Sequence, residues 1–362
     1  MAASAKVDTS APLGLTGDWL LDPDTINIVG SACGSTTSLP SNGTLTTATD
    51  AGQTDAILNS TIITALSSTD VTLEASNAIN VDANITWSTS HSLNLLSEGN
   101  INVNAGIQNS GTGAINVIAG WDGSTLSFSP NMSGSVYGQS CGSVNITSGG
   151  SSIAVGSLSG QTIVAGYDVN VHGSSGDAQI GFAGSGGGNI SVLAKNDVVV
   201  VGGNGFAQIG NGGYEQSGAA TGNITVVAAD DISLTGGTGS NYAQIGNGGV
   251  NGTASTAGNI SVFAGKDVNL TGGSGAYADA QIGNGGDSST GVNSGNIVVN
   301  ATGDISLTGE GDYAQIGDGG WGAASSSGNI TVNAGKDLTL DDASGAYGVW
   351  IGNGGQYAYG TD

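Results

Sequence analysis

The sequence predicts an all-β fold, a parallel β-helix (solenoid) in which each coil has three short strands and loops recur at one corner. Two observations support this prediction: a recurring phrase in the second half of the chain, and alternation of apolar and polar residues around it. The phrase is Ala-Gln-Ile-Gly followed by a glycine-rich turn. Its central isoleucines recur 29, 36, 37, 34 and 35 residues apart, at Ile180, Ile209, Ile245, Ile282, Ile316 and, in a degenerate copy, Ile351. Such a period is typical of stacked supersecondary units.

The composition agrees with an all-β chain. Of the 362 residues, 67 are glycine and four are proline, which excludes collagen and argues against a proline-rich linker. No segment has a helical period, and no apolar run is long enough to span a membrane. We therefore expect β-strands throughout and no membrane insertion in this segment.

The charge balance excludes several classes of partner. The chain has 28 acidic residues, four lysines and no arginine, with a formal net charge of −24. Nucleic acids and anionic membrane surfaces would be repelled, and no arginine can clamp a phosphate. Divalent cations and neutral glycans are compatible with this charge.

One late period shows how each coil is built. Residues 222–228 form a first strand, in which alternation places Ile224 and Val226 on one face. Residues 231–235 and 242–246 form the second and third strands. The remaining residues, 247–256, form a polar loop at a fixed corner.

The first half of the chain has shorter coils. Equivalent first strands recur about 22 residues apart, at 70–73, 92–95 and 114–117. We expect coils of about 22 residues over 1–120 with an inserted loop at 30–52, a second inserted loop at 121–142, and coils of about 35 residues over 143–362. No linker interrupts the pattern, so one continuous solenoid is expected.

A family resemblance extends over about the first 150 residues. It is carried by Lys6-Val7-Asp8-Thr9-Ser10-Ala11-Pro12, Gly17-Asp18-Trp19-Leu20-Leu21-Asp22-Pro23, Ile26-Asn27-Ile28 and the repeats at 70–74, 78–87 and 92–105. These stretches resemble segments of filamentous-haemagglutinin-like proteins, which are large secreted exoproteins, often of two-partner secretion systems. The resemblance implies a right-handed β-helix, an adhesin or matrix role on a Gram-negative cell surface, and a partner pore for secretion. It carries over no binding residue.

A column of asparagines follows the third strand of the long coils, at Asn211, Asn247, Asn284 and Asn353, with Asp318 in the same position. Stacked in register, these side chains can form a structural ladder at a turn. Alternatively, Asp318 and neighbouring carbonyls form a Ca²⁺ site, although the dense carboxylate spacing of a calcium loop is missing. Ca²⁺ is the one cofactor that the sequence leaves open.

A second column contains the aspartates at Asp197, Asp231, Asp267, Asp304 and Asp337. Like charges at stacking distance repel, so these side chains must cap turn amides, extend into solvent or share cations. Lys195, Lys266 and Lys336 lie beside the column and can partly neutralise it.

Aromatic residues recur just before the third strand or in the loop after it, at Phe206, Tyr242, Tyr277, Tyr313, Trp321 and Tyr347. One interpretation is packing between successive coils. The other is an exposed aromatic strip that serves as a glycan platform, with loop Asn and Asp groups binding the sugar hydroxyls. This strip is the best candidate ligand site in the sequence.

The chain has two cysteines, Cys33 and Cys141, each in a Gly/Ser-rich stretch typical of a loop. If both lie in the stack itself, several coils separate them, too far for a disulfide. If their loops fold along the outside, the thiols can meet. The sequence therefore leaves open both a disulfide and two free thiols.

These patterns favour a non-enzymatic segment of a secreted, cell-surface adhesin or biofilm-matrix protein. Its partners would be glycans, a host or bacterial surface, or another copy of the chain. The alternative is a polysaccharide lyase or glycosidase, and a purely structural spacer is a third possibility. No catalytic residue is predicted, because the repeated aspartates offer no distinct acid and base, and His91 and His172 are isolated.

Overall fold

The computed structural model describes residues 23–31, 44–45, 50–122, 141–342 and 348–355. In these residues nearly all secondary structure is parallel β-strand, arranged as a right-handed parallel β-helix with three strands per coil. The predicted fold class is therefore confirmed. Within the same residues, no helix is long and apolar enough to cross a membrane.

The solenoid begins with an irregular end. This end contains β1 (Pro23–Val29), β2 (Thr44–Leu45), β3 (Asp50–Leu58) and the helix α1 (Asn59–Ala65). Four coils, here called the short coils, follow in the described chain. Their strands are β4 (Val71–Ala75), β5 (Ala78–Val81), β6 (Ile85–Trp87), β7 (Leu93–Ser97), β8 (Asn100–Val103), β9 (Ile107–Asn109), β10 (Ile115–Ala119), β11 (Val144–Thr147), β12 (Ile153–Ser157), β13 (Thr162–Gly166), β14 (Val169–Gly173) and β15 (Ala178–Ile180).

Five further coils, here called the long coils, complete the described residues. Their strands are β16 (Ile190–Ala194), β17 (Val198–Gly202), β18 (Ala207–Ile209), β19 (Ala220–Thr221), β20 (Ile224–Ala228), β21 (Ile232–Thr235), β22 (Ala243–Ile245), β23 (Thr256–Ala257), β24 (Ile260–Ala264), β25 (Val268–Thr271), β26 (Ala280–Ile282), β27 (Val292–Ser294), β28 (Ile297–Ala301), β29 (Ile305–Gly309), β30 (Ala314–Ile316), β31 (Ser325–Ser327), β32 (Ile330–Ala334), β33 (Leu338–Asp342) and β34 (Val349–Ile351).

The strands form four parallel sheets. The first, second and third strands of each coil lie in sheets 1, 2 and 3, which have 10, 11 and 9 strands in the described residues. The loops of four long coils add a loop sheet with the order β19-β23-β27-β31. This fourth sheet was not predicted, because its strands have only two or three residues.

Alternation along each strand places one set of side chains inside the stack. In sheet 1, Ile190 pairs with Ile224, and Ile224 pairs with Ile260. In sheet 3, Ala178 pairs with Ala207. All of these residues are buried in one continuous core. Burying such an isoleucine contributes roughly 1.5–3 kcal/mol, so each coil is stabilised mainly by its apolar columns.

The short coils carry a polar ladder on the outer face of sheet 2. Asn80 donates a hydrogen bond to Asn27, Asn102 to Asn80, Asn145 to Asn102 and Asn170 to Asn145, at 2.8, 2.8, 3.0 and 2.9 Å. These side chains are partly buried. The ladder links successive coils without entering the core.

The two ends of the described solenoid differ. At the first end, β3 pairs with the outer side of β1, and α1 packs near β6, so Ile57, Ile62 and Leu66 are fully buried. At the other end, Leu338 and Leu340 of β33 are 47% and 46% exposed. The sequence did not predict α1, because seven residues are too few for a helical period and the helix depends on the burial of Ile62.

The predicted inserted loops need one correction. The interval 30–52 contains β2 and the first residues of β3, which pair with β4 and β1. Short segments of this kind gain their strand conformation from the sheet that they join, and their local pattern is weak. Of the second predicted loop at 121–142, residues 123–140 lie outside the described residues. Cys33 lies outside them as well, so the Cys33–Cys141 disulfide stays a prediction.

Candidate functional site

The corner that follows sheet 3 in the long coils is built by the Ala-Gln-Ile-Gly phrase, and we call it the loop corner. Alanine and isoleucine of the phrase enter the core, whereas the glutamine lies outside the core and is buried beneath the loops. In Gln208, Nε2 donates to the carbonyls of Gly246 at 2.7 Å and Gly248 at 2.5 Å, both in the next coil. Equivalent contacts are made by Gln244, Gln281 and Gln315 in the long coils and by Gln179 in the last short coil. Each glutamine therefore holds the next turn against its own strand.

A buried asparagine ladder runs beside these glutamines, as the structural interpretation of the sequence predicts. In Asn247, Nδ2 donates to the carbonyls of Gly222 at 2.8 Å and Ala257 at 3.1 Å. The backbone N–H of Asn247 donates to Oδ1 of Asn284 at 3.1 Å. The ladder residues are Asn211, Asn247, Asn284, Asp318 and Asn353. These bonds connect each turn to the start of its own coil and to the next coil.

Asp318 is the exception in this ladder. Its Oδ1 accepts the N–H of Asn284 at 2.8 Å, but its buried Oδ2 has no hydrogen-bond partner among the described residues. The repeat register puts the carbonyls of Gly295 and Ser327 where Asn247 has those of Gly222 and Ala257. Burial raises the pKa of Asp318 to about 7. Oδ2 of Asp318 faces two carbonyl oxygens, which cannot donate a hydrogen bond to it. A proton on Oδ2 allows it to donate a hydrogen bond to them instead.

The same geometry bears on the predicted Ca²⁺ site at Asp318. Ca²⁺ takes about six to eight oxygen ligands. At this position the repeat register supplies the carboxylate of Asp318 itself and two backbone carbonyls. A proton therefore fits this position better than Ca²⁺.

The aspartate column caps turn amides, as one interpretation of the sequence predicts. The backbone N–H of each aspartate donates to Oδ1 of the aspartate one coil earlier, at 3.0, 3.0, 2.6 and 3.0 Å, through Asp197, Asp231, Asp267, Asp304 and Asp337. Lys266 pairs with Asp230 at 2.5 Å. Among the described residues, one group of three carboxylates lies close enough to share an ion: Asp197, Asp230 and Asp231. Lys266 already neutralises part of that group.

The aromatic column is largely buried, which corrects the platform interpretation for three residues. Tyr242 and Tyr313 are 1% and 0% exposed, and Phe206 is 8% exposed and stacks on Tyr242 with ring centroids 4.8 Å apart. The loops fold back over these rings. A side chain at Gly249 would place its Cβ 2.3 Å from the Tyr242 hydroxyl, so this turn needs glycine. Tyr242 and Tyr313 therefore pack between coils and offer no face to a ligand, whereas Phe206 keeps a small exposed edge. Tyr347 lies outside the described residues.

Tyr277 departs from the column because its turn is one residue longer. The N–H of Gly237 bonds to the carbonyl of Asn241, whereas the equivalent N–H of Gly273 bonds to that of Ala278. The extra residue is accommodated by a positive φ of 63° at Tyr277. A positive φ is uncommon for a bulky side chain. As a result, Tyr277 is only partly buried, and Asp279 takes the place that Tyr242 has in the preceding coil.

This irregular coil creates a pocket of about 200 Å³. Tyr277 and Trp321 line it together with two carboxyl groups, and we call it the acidic pocket. Its lining residues are Ala276, Tyr277, Asp287, Ser288, Asp312 and Trp321. Two aromatic residues named from the sequence thus meet in one cavity.

Backbone N–H groups and one serine hydroxyl hold the carboxyl groups of the acidic pocket. Asp312 accepts the N–H groups of Ala278 at 2.9 Å and Tyr313 at 2.8 Å, and Asp287 accepts the Ser288 hydroxyl at 2.6 Å. Asp312 and Asp287 are 2% and 5% exposed. In the described part of the chain, no lysine forms an ion pair with either group.

Burial shifts the protonation of these groups. It raises the pKa of Asp287 to about 6 and raises the pKa of Asp312 above its usual value. Behind the pocket, burial and the charges of Asp312 and Asp287 raise the pKa of Asp279 well above its ordinary range. Burial, and next the Asp279 charge, raises the pKa of the Tyr313 hydroxyl well above 10. Asp279, Asp287 and Asp312 are thus buried acids without a cationic partner among the described residues.

A second pocket of about 340 Å³ lies on the same corner. Phe206, Tyr214, Asp177 and Gln216 are among its lining residues, and Tyr214 is 41% exposed. Successive long coils place one residue each in a column after the turn: Tyr214, Val250, Asp287 and Trp321. Tyr214 and Trp321 are therefore equivalent residues in coils that are three repeats apart. At the spacing of parallel strands, three coils cover roughly 14 Å. The two pockets can therefore contact one elongated ligand.

Sequence reasoning missed Asp279, Asp287 and Asp312. They are separated along the chain, and each looks like an ordinary turn residue. The available signal was the longer turn before Ala280 and the absence of an aromatic residue directly before it. Packing between coils determines which residues recur in the repeat. Where the repeat is irregular, packing no longer determines the residue.

No family model, no curated protein and no solved structure matches this chain. The resemblance to filamentous-haemagglutinin-like proteins stays a prediction.

Proposed function

We propose that this chain is a rigid display rod that binds carbohydrate at the loop corner, as part of a secreted, cell-surface adhesin or biofilm-matrix protein. The observation that carries the proposal is the acidic pocket, where Tyr277 and Trp321 lie beside Asp287 and Asp312. Aromatic rings can pack on the CH faces of a sugar, and carboxyl oxygens can accept its hydroxyl hydrogen bonds. Specific small-ligand sites combine these two elements.

The arrangement along the solenoid supports an extended ligand. Tyr214 and Trp321 lie in the same column of the loop corner, and each lines a pocket. A stack of coils is stiff and repeats its surface along one axis. A linear glycan lying along this axis would contact both pockets, and glycan-mediated contact with a host surface, a bacterial surface or a second copy of the chain would follow.

A glycosidase is the second candidate function. It is favoured by one observation: Asp287 and Asp312 share a cavity, and the pKa of each is raised. A raised pKa suits a general acid, but the partner carboxylate should then stay ionised at lower pH. Here burial shifts both groups in the same direction. Binding without turnover is therefore the preferred proposal.

A glycan array probed with the whole chain tests the proposal. We expect binding of at least one oligosaccharide class, with affinity reduced about tenfold or more in Trp321→Ala and Tyr277→Ala, equivalent to about 1.4 kcal/mol. Tyr167→Ala is the matched control, because Tyr167 is partly exposed at a different corner. Circular dichroism checks that each variant keeps its fold.

Two outcomes would contradict this proposal. If no glycan binds, or if all three variants bind alike, the acidic pocket is not a carbohydrate site. If reducing ends accumulate when the chain is incubated with the bound oligosaccharide, and Asp287→Asn abolishes this release, the glycosidase replaces the display rod.

A further inference from the structure

We infer that the acidic pocket selects ligands that carry a protonated primary amine, so that its carbohydrates are amino sugars with free amino groups. This inference rests on the proposed carbohydrate function and names the ligand class of the same pocket. Three features carry it: uncompensated carboxyl groups, unfilled oxygen acceptors and flanking aromatic rings.

The first feature is charge. Asp287 and Asp312 line the pocket and are 5% and 2% exposed, and among the described residues no cationic side chain pairs with them. An uncompensated buried carboxylate is costly, and a bound cation offsets that cost. A neutral ligand would leave the cost in place, and an anionic ligand would increase it.

The second feature is the set of available acceptors. The backbone N–H groups of Ala278 and Tyr313 hold both oxygens of Asp312, and each of these oxygens has a further lone pair. In Asp287, Oδ1 accepts the Ser288 hydroxyl, and Oδ2 accepts no hydrogen bond from the described residues. An ammonium group has three donors and no acceptor, which matches this set of oxygens.

The third feature is the pair of aromatic residues. Tyr277 and Trp321 line the cavity together with Asp287 and Asp312. A cation near the face of a tryptophan or tyrosine ring is stabilised by about 0.5–2 kcal/mol. Aromatic rings and carboxylates both attract the positive charge of an ammonium group. Acetylation of the amine removes this charge, so the pocket favours the free amine over the acetamide of an acetylated sugar.

The protonation of the pocket gives an independent readout on the unmodified chain. The titratable groups around the cavity are Asp287 in the loop after β26, Asp279 before β26, and Asp312 and Tyr313 before β30. Because burial raises the pKa of Asp287 to about 6, this group is mostly protonated at pH 5 and mostly ionised at pH 7. A ligand whose ammonium group stays charged over this range, such as a lysine peptide with an ordinary amine pKa of about 10.4, should therefore bind more weakly at pH 5 than at pH 7, and its binding at pH 5 should release protons to the buffer.

The test compares glucosamine tetramer with N-acetylglucosamine tetramer by titration calorimetry at pH 6.5 in 0.15 M NaCl, a salt concentration at which distant surface charges are screened. We expect the free amine to bind tenfold or more tightly, and we expect Asp287→Asn to remove this preference. Asp304→Asn is the matched control, because it removes one charge from the other column and keeps its capping oxygen. Tetralysine is the third ligand and reports amines outside a sugar.

Each outcome decides between the proposals. A tenfold preference that Asp287→Asn removes and Asp304→Asn keeps supports the amino-sugar inference. Equal affinity for the two sugar tetramers, with binding lost in Trp321→Ala, overturns the inference and leaves the carbohydrate function standing. If neither tetramer binds and the array is empty, the proposed function itself fails.

Tetralysine separates the remaining explanations. Equal binding of tetralysine, weakened to the same extent by Asp287→Asn and Asp304→Asn, would mean general attraction to a chain of charge −24 and would overturn the inference. Tetralysine binding tighter than glucosamine tetramer and lost only in Asp287→Asn would assign the pocket to lysine-bearing peptides instead. The comparison of ligands on the unmodified chain needs no variant, so a variant that fails to fold leaves the test intact.

Discussion

The short coils and the long coils share one core but differ in what lies outside it. In both, isoleucine, valine, leucine and alanine columns fill the interior. The short coils place their asparagine ladder on the outer face of sheet 2, where it is partly exposed to solvent. The long coils place theirs beneath the loops, where Asn247 and Asn284 are fully buried. An insertion at one corner therefore leaves the core unchanged and adds a covered polar layer.

This difference explains where chemistry can occur. A polar group beside water keeps its ordinary properties, whereas one buried beneath a loop must find a partner or change its protonation. Asp279, Asp287, Asp312 and Asp318, all with a raised pKa, lie in the covered layer of the long coils. The candidate ligand pocket is a defect in that layer, created where Tyr277 leaves the column.

The largest expected effect tests whether the loops truly cover the corner. Tyr242→Ala should lower the free energy of unfolding of the long coils by about 3–5 kcal/mol, because it leaves a cavity beneath Val250. Amide hydrogen exchange of β22 measures this locally, which is preferable because solenoids need not unfold as one unit.

Ser152 supplies the control in the short coils. It lies in the same column as Tyr242 but is exposed. Ser152→Ala should change the free energy of unfolding by less than about 0.5 kcal/mol. Similar small effects at both positions would mean that the long coils have no covered layer.

The second effect sharpens the comparison of the two ladders. Burial raises the pKa of Asp318 to about 7 from 3.8, so the folded state binds the proton more tightly than the unfolded state. Stability is then highest at low pH and falls as the pH rises from about 4 to about 7, by up to about 4 kcal/mol. Asp318→Asn puts the amide of the other ladder positions here, so it should remove the Asp318 contribution to the pH dependence and stabilise the chain at pH 8, whereas Asp279, Asp287 and Asp312 keep their contributions. Denaturant unfolding at pH 4, 6 and 8 measures it.

The matched control is Asn102→Asp, which puts a carboxylate into the partly exposed ladder of the short coils. Solvent can stabilise that charge, so its pH dependence should be much smaller, about 1 kcal/mol or less. If Asp318→Asn leaves the pH profile of the chain unchanged, Asp318 is not buried as a neutral acid.

The smallest effect concerns the turn that begins the loops of the long coils. Glu215 has a φ of 54°, and Gly322 has the equivalent position three coils later with a φ of 71°. Glu215→Gly should therefore stabilise the chain by about 1 kcal/mol or less, and Gly322→Ala should destabilise it by a similar amount. Thermal unfolding of the two variants tests the pair; a loss of stability in Glu215→Gly would contradict the shared turn geometry.

Part of the fold could be predicted from local pattern. Alternation around Ile224 and Ile260 and the constant spacing of the repeats are enough to predict three strands per coil, because each strand must bury one face. The same reasoning predicts the asparagine ladder, since identical side chains meet whenever identical coils stack in register. The helix α1 and the loop sheet could not be predicted in this way, because both are too short to have a pattern of their own.

The candidate site could be predicted only in part. Tyr277 and Trp321 were named among six aromatic residues, but nothing local distinguishes Tyr277 from the buried Tyr242 and Tyr313. Asp279, Asp287 and Asp312 belong to different turns and meet through the stacking of two coils and their loops. Contacts of this kind depend on the direction in which a loop folds, and the spacing of residues along the chain does not predict that direction.

The repeat period, the interior columns and the position of the loops follow from the amino-acid sequence, because burial of apolar side chains at a constant spacing allows one stacked arrangement. Whether the loop corner is open or covered depends on tertiary contacts. Gln208 and its equivalents bind turn carbonyls of the next coil, and these bonds exist only once the coils are stacked. Among the described residues, the loops held in this way cover Tyr242 and leave an acidic pocket at the coil where the turn before Ala280 is one residue longer.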